Sequence, residues 1–86
     1  MKMIIIIVND KDADTLTQSF TAENFRVTRV ASTGGFLHSG VVTMLLGVED
    51  DQVDAAIQVA RKSLPSKADQ KRATLFVIPV HSFEQV

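Results

Sequence analysis

Two neighbouring segments of this sequence carry side chains that could bind a phosphorylated ligand. Arg26 and Thr28 lie two residues apart in a β-like run, and Gly34, Gly35 and Phe36 follow that run. A guanidinium and a hydroxyl can hydrogen-bond phosphate oxygens, and adjacent glycines can turn several backbone N–H groups toward one anion. The ring of Phe36 could stack on a base beside them. These residue types favour nucleotide binding.

The same residues also allow a plainer interpretation. A Gly-Gly pair between two strands most often marks a hairpin turn, and the Phe that follows it then belongs to the core. Arg26 alone is typical of a solvated strand position or a salt bridge, and Thr28 is typical of a residue with high β-propensity. Composition and spacing leave both interpretations open.

The sequence offers no pattern that favours catalysis or a metal site. His38 and His81 are the only histidines, cysteine is absent, and no metal-ligand spacing links the two histidines. Neither glycine of the pair is followed by the Lys-Ser/Thr step of a Walker-type phosphate loop. The acidic run Glu49-Asp50-Asp51 precedes a predicted helix, where helix capping explains it. We therefore expect a binding protein without catalytic residues, metal or cofactor.

Length and composition indicate one globular domain over residues 1–86. Hydrophobic residues make up 45% and charged residues 22%, and the formal net charge is -1. A protein that binds nucleic acid in general carries a basic excess, so this charge argues against nucleic acid as the partner. The apolar run of residues 4–8 is too short for a secretory signal or a membrane span. We expect a cytoplasmic protein.

The hydrophobic pattern predicts four strands and two helices in the order βαββαβ. The strands are predicted at residues 3–8, 25–32, 36–48 and 73–80. The helices are predicted to be capped by Asn9 or Asp10 and by Asp50 or Asp51, and to end near residues 23–24 and at Pro65. This is the ferredoxin-like split βαβ pattern, an α+β fold in which two helices cover one face of a four-stranded antiparallel sheet.

The first and last strands indicate that the other face of the sheet is also covered. Residues 3–8 are apolar without alternation, as expected for a strand that is buried on both faces, and residues 73–80 are nearly as apolar. No further segment of the chain can cover the second face, so we expect another copy to do so. Gly40 and Gly47 interrupt the third predicted strand, where glycine often marks a bulge or the close approach of another backbone or a ligand. Asp12 and Asp14 are expected in the first turn of the first helix, where the helix dipole favours acidic residues.

Several short blocks, in matching order along almost the whole chain, resemble one bacterial family. The blocks are Asn24-Phe25-Arg26-x-Thr28, Thr33-Gly34-Gly35-Phe36-Leu37, Gly47-Val48 with Asp50-Asp51, and Ala73-Thr74-x-Phe76-Val77-x-Pro79-Val80 with Phe83 and Gln85. They are similar to those of the PII-like receptors for cyclic di-AMP. The resemblance implies a non-enzymatic signalling protein, a homotrimer with one nucleotide site in each cleft between neighbouring subunits, and a protein target that is not identified.

The resemblance also implies which residues contact the ligand. Arg26 would face a phosphate, Phe36 and Leu37 would flank an adenine, Gly47 would allow close approach, and Gln85 would reach the ligand from the C-terminal tail. The full set implied is Asn24, Arg26, Thr28, Gly35, Phe36, Leu37, Gly47, Phe76 and Gln85.

Two features of the chain differ from the family it resembles. Val41 stands where members usually carry an asparagine that contacts the ligand, and the long connector before the last strand is reduced to residues 65–72.

Two other functions fit the same fold. One is a PII-type sensor of adenine mononucleotides (ATP, ADP or AMP), and the other is a trimeric structural or metal-handling protein.

Overall fold

The computed structural model describes residues 1–30, 40–64 and 72–86 and contains one four-stranded antiparallel sheet. Along the chain the elements are β1 (Lys2–Asn9), α1 (Asp10–Ala22), β2 (Val27–Val30), β3 (Val41–Val48), a 3₁₀ helix (Asp50–Gln52), α2 (Val53–Ser63) and β4 (Ala73–Pro79). The strand order is β2-β3-β1-β4, so β2 and β4 form the two edges. The predicted α+β class, the antiparallel sheet and the two helices are confirmed.

The core lies between the two helices and one face of the sheet. Because successive strand residues point to opposite faces, alternate residues of β1 and β3 enter this core. From the sheet come Ile4, Ile6, Val8, Val42, Met44, Leu46 and Val48, and from the helical layer Ala13, Leu16, Phe20, Ala56, Ala60 and Leu64. The spacing of residues 13, 16 and 20 gives α1 the single apolar stripe that the sequence predicts.

The ends of β2 and β3 differ from the prediction. Phe25 and Arg26 precede β2, because the Phe25 N–H donates a hydrogen bond to the carbonyl of Phe20 at 2.9 Å and so belongs to the end of α1. Gly40 is a turn residue with a φ of 84°, and its carbonyl accepts a hydrogen bond from the Asp10 N–H at 2.8 Å. Residues 31–39, which include the predicted end of the second strand and the predicted start of the third, lie outside the described residues.

The start of α1 agrees with the prediction, whereas the start of the second helical segment differs from it. Asn9 occupies the N-cap position of α1, but its side chain makes no capping hydrogen bond. Before α2, the cap belongs to the 3₁₀ helix, where Glu49 and Gln52 form a capping box and the Glu49 N–H donates to Gln52 Oε1 at 2.9 Å. The expectation that Asp50 or Asp51 caps this helix is therefore wrong, because the chain turns one residue earlier.

The acidic residues at the start of α1 make specific ion pairs in addition to any dipole contact. Asp12 is 8% exposed and accepts hydrogen bonds from Nη2 of Arg72 at 2.6 Å and from its Nε at 3.3 Å. Asp14 lies beyond the first turn, contrary to the prediction, and pairs with Nη1 of Arg29 at 2.6 Å.

Among the described residues, no helix has the length and apolar character that crossing a membrane requires.

Candidate functional site

The face of the sheet that points away from the helices is apolar and has no second layer over it. The register places on this face Met3, Ile5 and Ile7 of β1, Thr28 and Val30 of β2, Val41, Thr43, Leu45 and Gly47 of β3, and Thr74, Phe76 and Ile78 of β4. None of these residues is charged. Phe76 is 50%, Val30 43% and Ile78 40% exposed. In the single chain, β1 is therefore fully buried on its helix-facing side only, and its other side is half-buried.

The connection between α1 and β2 positions the first part of the candidate site. Asn24 follows the helix with a φ of 66°, a left-handed conformation that asparagine tolerates better than most residues. Phe25 then packs edge-to-face against Phe20 at a centroid distance of 6.0 Å. Because Phe25 is anchored on the helix side, the alternation of an extended chain directs Arg26 toward the same side as Thr28. Both residues are exposed at the outer edge of the sheet.

Gly47 lies beside Arg26, at the end of β3. Its neighbour Leu46 pairs with Val27, so Gly47 and Arg26 adjoin across the end of the β2–β3 ladder. A Cβ placed on Gly47 would meet no heavy atom of the described residues within 4 Å, and the residue does not need a positive φ. Neither the conformation nor the packing of the described chain therefore requires glycine at this position.

Phe76 lies on the same face of the sheet as Thr28, but at the opposite edge. One row of paired residues crosses the sheet from Thr28 through Leu45 and Ile5 to Phe76. Three strand spacings separate the ends of this row, which is about 14 Å at about 4.8 Å per spacing. Gln85 belongs to the exposed tail after β4. Within one chain, Arg26, Thr28 and Gly47 lie close together, and Asn24 lies just before them in the sequence. Phe76 lies apart from this group, at the other edge of the sheet.

Three predicted ligand contacts, Gly35, Phe36 and Leu37, lie outside the described residues. The described residues that flank this segment are Val30 before it and Gly40 and Val41 after it. Val41 pairs with Asn9 at the end of the helix-free face, so this position contributes an apolar side chain there.

Charge is distributed unevenly between the two sides of the sheet. Arg29 points toward the helices, where it pairs with Asp14. Arg26 lies just before β2 and is directed toward the helix-free face. The hydrogen bond to Asp12 raises the pKa of Arg72, and this pair belongs to the helix side. At the far end of the sheet, the amino group of Met1 lies 3.1 Å from Asp50 Oδ1 and lowers the pKa of that carboxyl. Among the described residues of the sheet and its flanks, Arg26 is therefore the cation directed toward the helix-free face.

Comparison with known proteins identifies the family. Residues 1–71 match the family described as cyclic-di-AMP receptor. The chain belongs to this family. A cyclic-di-AMP receptor identity also agrees with the resemblance carried by the blocks at residues 24–28, 33–37 and 47–51. The match spans β1 through α2, and therefore includes Asn24, Arg26, Thr28 and Gly47.

A crystal structure of a protein of unknown function from Pediococcus pentosaceus is similar over nearly the whole length. The two chains are 34% identical, the match covers 99% of this receptor and 96% of the other chain, and the TM-score is 0.77. The likeness therefore extends through β4 and the tail, which lie beyond the region matched to the family.

One ion pair on the helix side of the sheet could not be predicted from the sequence. The pair between Asp12 and Arg72 joins residues that are 60 positions apart, and neither residue belongs to a recognisable motif. Among the described residues, no three His, Asp or Glu side chains cluster in a way that could hold a metal ion.

Proposed function

We propose that this receptor is a non-enzymatic signalling protein that binds cyclic di-AMP between copies of itself in a homotrimer in the cytoplasm. Membership of the cyclic-di-AMP receptor family supports the ligand. The number of copies follows the PII-like resemblance, and the uncharged helix-free face supports self-association.

The observation that carries the proposal is the separation of Thr28 from Phe76 by the full width of the sheet. These residues occupy opposite edges, about 14 Å apart. A single phosphate or adenine group of the ligand could not contact both residues within one chain. If neighbouring copies place the β2 edge of one beside the β4 edge of the next, the two half-sites form one cleft. The site is then incomplete in a single chain.

The chemistry of this cleft suits cyclic di-AMP. The ligand carries two adenine bases and two negatively charged phosphodiesters. Phe76 offers an exposed aromatic ring for a base, and the Arg26 guanidinium can donate two hydrogen bonds to one phosphate. Gly47 leaves room beside Arg26, where a Cβ would otherwise project. In this arrangement Gln85 contributes from the tail, and Gly35, Phe36 and Leu37 contribute from the segment after β2.

Isothermal titration with cyclic di-AMP tests the proposal, with cyclic di-GMP, ATP and AMP as competing ligands. We expect heat with cyclic di-AMP and no displacement by the others at equal concentration. Light scattering should give three times the chain mass of 9.4 kDa. No heat at high micromolar cyclic di-AMP, or a stable single chain, would refute the proposed site.

A matched pair of arginine variants locates the phosphate. Arg26→Ala should weaken cyclic di-AMP binding by about tenfold to a hundredfold, because a hydrogen bond to a charged group contributes about 1.5–3 kcal/mol. Arg29→Ala is the control, since Arg29 pairs with Asp14 on the helix side. Equal affinities for the two variants would remove Arg26 from the site.

A further inference from the structure

A buried ion pair ties the helical layer to the edge strand β4. Asp12, in the first turn of α1, is 8% exposed, whereas its partner Arg72 is partly exposed just before β4. Arg72 donates from Nη2 to one carboxylate oxygen at 2.6 Å and from Nε to the other at 3.3 Å. Two such bonds in parallel fix the orientation of the guanidinium as well as its distance. The pair therefore restricts where the chain can lie as it enters β4.

The first turn of α1 is itself fastened to the sheet. The helix follows β1 directly, since β1 ends at Asn9 and α1 begins at Asp10. The Asp10 N–H belongs to the first turn, where backbone donors have no partner within the helix, and it donates to the carbonyl of Gly40 at 2.8 Å. Asn9 pairs with Val41 at the start of β3. Asp12 therefore extends from a turn that is fixed on the two central strands, β1 and β3.

The strand β4 is held less firmly within the described part of one chain. It is an edge strand that pairs with β1, and its helix-facing residue Val77 is 41% exposed, so the helical layer covers it incompletely. Arg72 lies one residue before the ladder, which begins at the pair of Val8 and Ala73. The ion pair with Asp12 thus fixes β4 at the end where its pairing with β1 starts.

We infer that Asp12 is a positioning residue for the nucleotide cleft and acts through Arg72 on the strand that carries Phe76. This inference rests on the proposed function, in which the exposed ring of Phe76 receives a base of the ligand. Phe76 lies four residues after Arg72 and faces away from the helices. If β4 can shift, the position of the ring that suits the base is populated less, and the affinity falls by that fraction. Asp12 lies on the helix side and acts without contacting the ligand.

Isothermal titration of the Asp12→Asn variant with cyclic di-AMP tests the inference. Asparagine has the shape of aspartate without its charge, so the substitution removes the ion pair with little change in volume. We expect binding to weaken by about threefold to thirtyfold, the range for residues that act on a site through intervening contacts. Asp14→Asn is the matched control, because the same substitution on the same helix removes an exposed pair with Arg29. It should keep wild-type affinity.

The variant Arg72→Lys separates the geometry of the pair from its charge. Lysine keeps the positive charge but lacks the planar fork that reaches both carboxylate oxygens. We therefore expect this variant also to bind cyclic di-AMP severalfold more weakly. The double variant of Asp12→Asn with Arg72→Lys should bind no more weakly than the weaker of the two single variants, because both substitutions remove the same link.

Amide hydrogen exchange distinguishes positioning from a loss of stability alone. In Asp12→Asn, the amides of β4 should exchange faster relative to those shared by β1 and β3, since the edge strand opens locally. Ala56→Gly, at a buried position of α2, lowers stability through helix propensity. It should change neither this ratio of exchange rates nor the affinity for cyclic di-AMP.

Three results would overturn the inference. They are wild-type affinity in Asp12→Asn or Arg72→Lys, a loss of affinity in Asp14→Asn or Ala56→Gly equal to that in Asp12→Asn, and an unchanged ratio of exchange rates in Asp12→Asn. Failure of the wild-type protein to bind cyclic di-AMP would remove the proposed function and this inference together. Binding by the wild-type protein with equal affinity in Asp12→Asn would remove the inference and leave the proposed function in place.

Discussion

Replacement of Gly47 by alanine separates the requirements of the fold from those of the ligand. In the described chain, the added Cβ meets no heavy atom within 4 Å, and the backbone of Gly47 does not lie in the left-handed region. A glycine inside a strand costs about 0.5–1 kcal/mol relative to alanine. We therefore expect Gly47→Ala to leave the free energy of unfolding unchanged or to raise it by up to about 1 kcal/mol.

The same substitution should weaken the binding of cyclic di-AMP. If the ligand lies against the backbone of Gly47, the new methyl group occupies space that the ligand needs. Overpacking of a fitted site costs about 1–3 kcal/mol, which corresponds to roughly fivefold to 150-fold in affinity. Stability and affinity then change independently, which a residue required only for folding would not show.

Gly40→Ala is the matched control for this prediction. Gly40 has a φ of 84° and open space around its Cβ position, so the penalty of alanine is conformational and not steric. We expect a loss of about 1–2 kcal/mol in the free energy of unfolding. Urea unfolding and isothermal titration measure the two quantities for both variants. Wild-type affinity in Gly47→Ala, or destabilisation equal to that of Gly40→Ala, would refute the reasoning.

Three further predictions concern the fold, the face proposed to join the copies, and Asn24. Asp12→Asn should lower the free energy of unfolding by about 1.5–3 kcal/mol, because Asp12 is buried beside Arg72; Asp14→Asn, at an exposed pair, should cost below about 1 kcal/mol in the same urea titration. Ile5→Lys should shift the mass in light scattering toward one chain while the helical circular dichroism remains, and Thr15→Lys on the exposed side of α1 should not. Asn24→Gly should keep the stability that Asn24→Ala loses, about 1 kcal/mol or more at a φ of 66°; retention of full cyclic di-AMP affinity by Asn24→Gly would contradict a ligand contact by the Asn24 amide.

The sequence predicted the elements but not all of their ends. The spacing of Ala13, Leu16 and Phe20 was sufficient for α1, because helical periodicity depends on near neighbours. The predicted start of β2 at Phe25 was wrong, since Phe25 is compatible both with a strand and with the end of a helix. A hydrogen bond to Phe20 decides between them, and a residue pattern does not reveal such a bond.

The candidate site was likewise predicted only in part. Motifs identified Arg26, Thr28, Gly47 and Phe76 as members of one set, and the family match agrees with the motifs of residues 1–71. Motifs do not give the distances between these residues in the folded chain. The strand order β2-β3-β1-β4 places Thr28 and Phe76 on opposite edges, which gives the proposed site its dependence on a second copy.

By itself, the sequence determined the order of the strands and helices, the apolar character of the first and last strands, and the resemblance to the family. Hydrophobic period and short motifs act over a few residues, so they can be read without coordinates. The tertiary structure alone decided where distant residues lie relative to one another: Asp12 pairs with Arg72, 60 positions away, and Thr28 and Phe76 lie at opposite edges of the sheet. These placements depend on strand order and helix position, which result from packing of the whole chain.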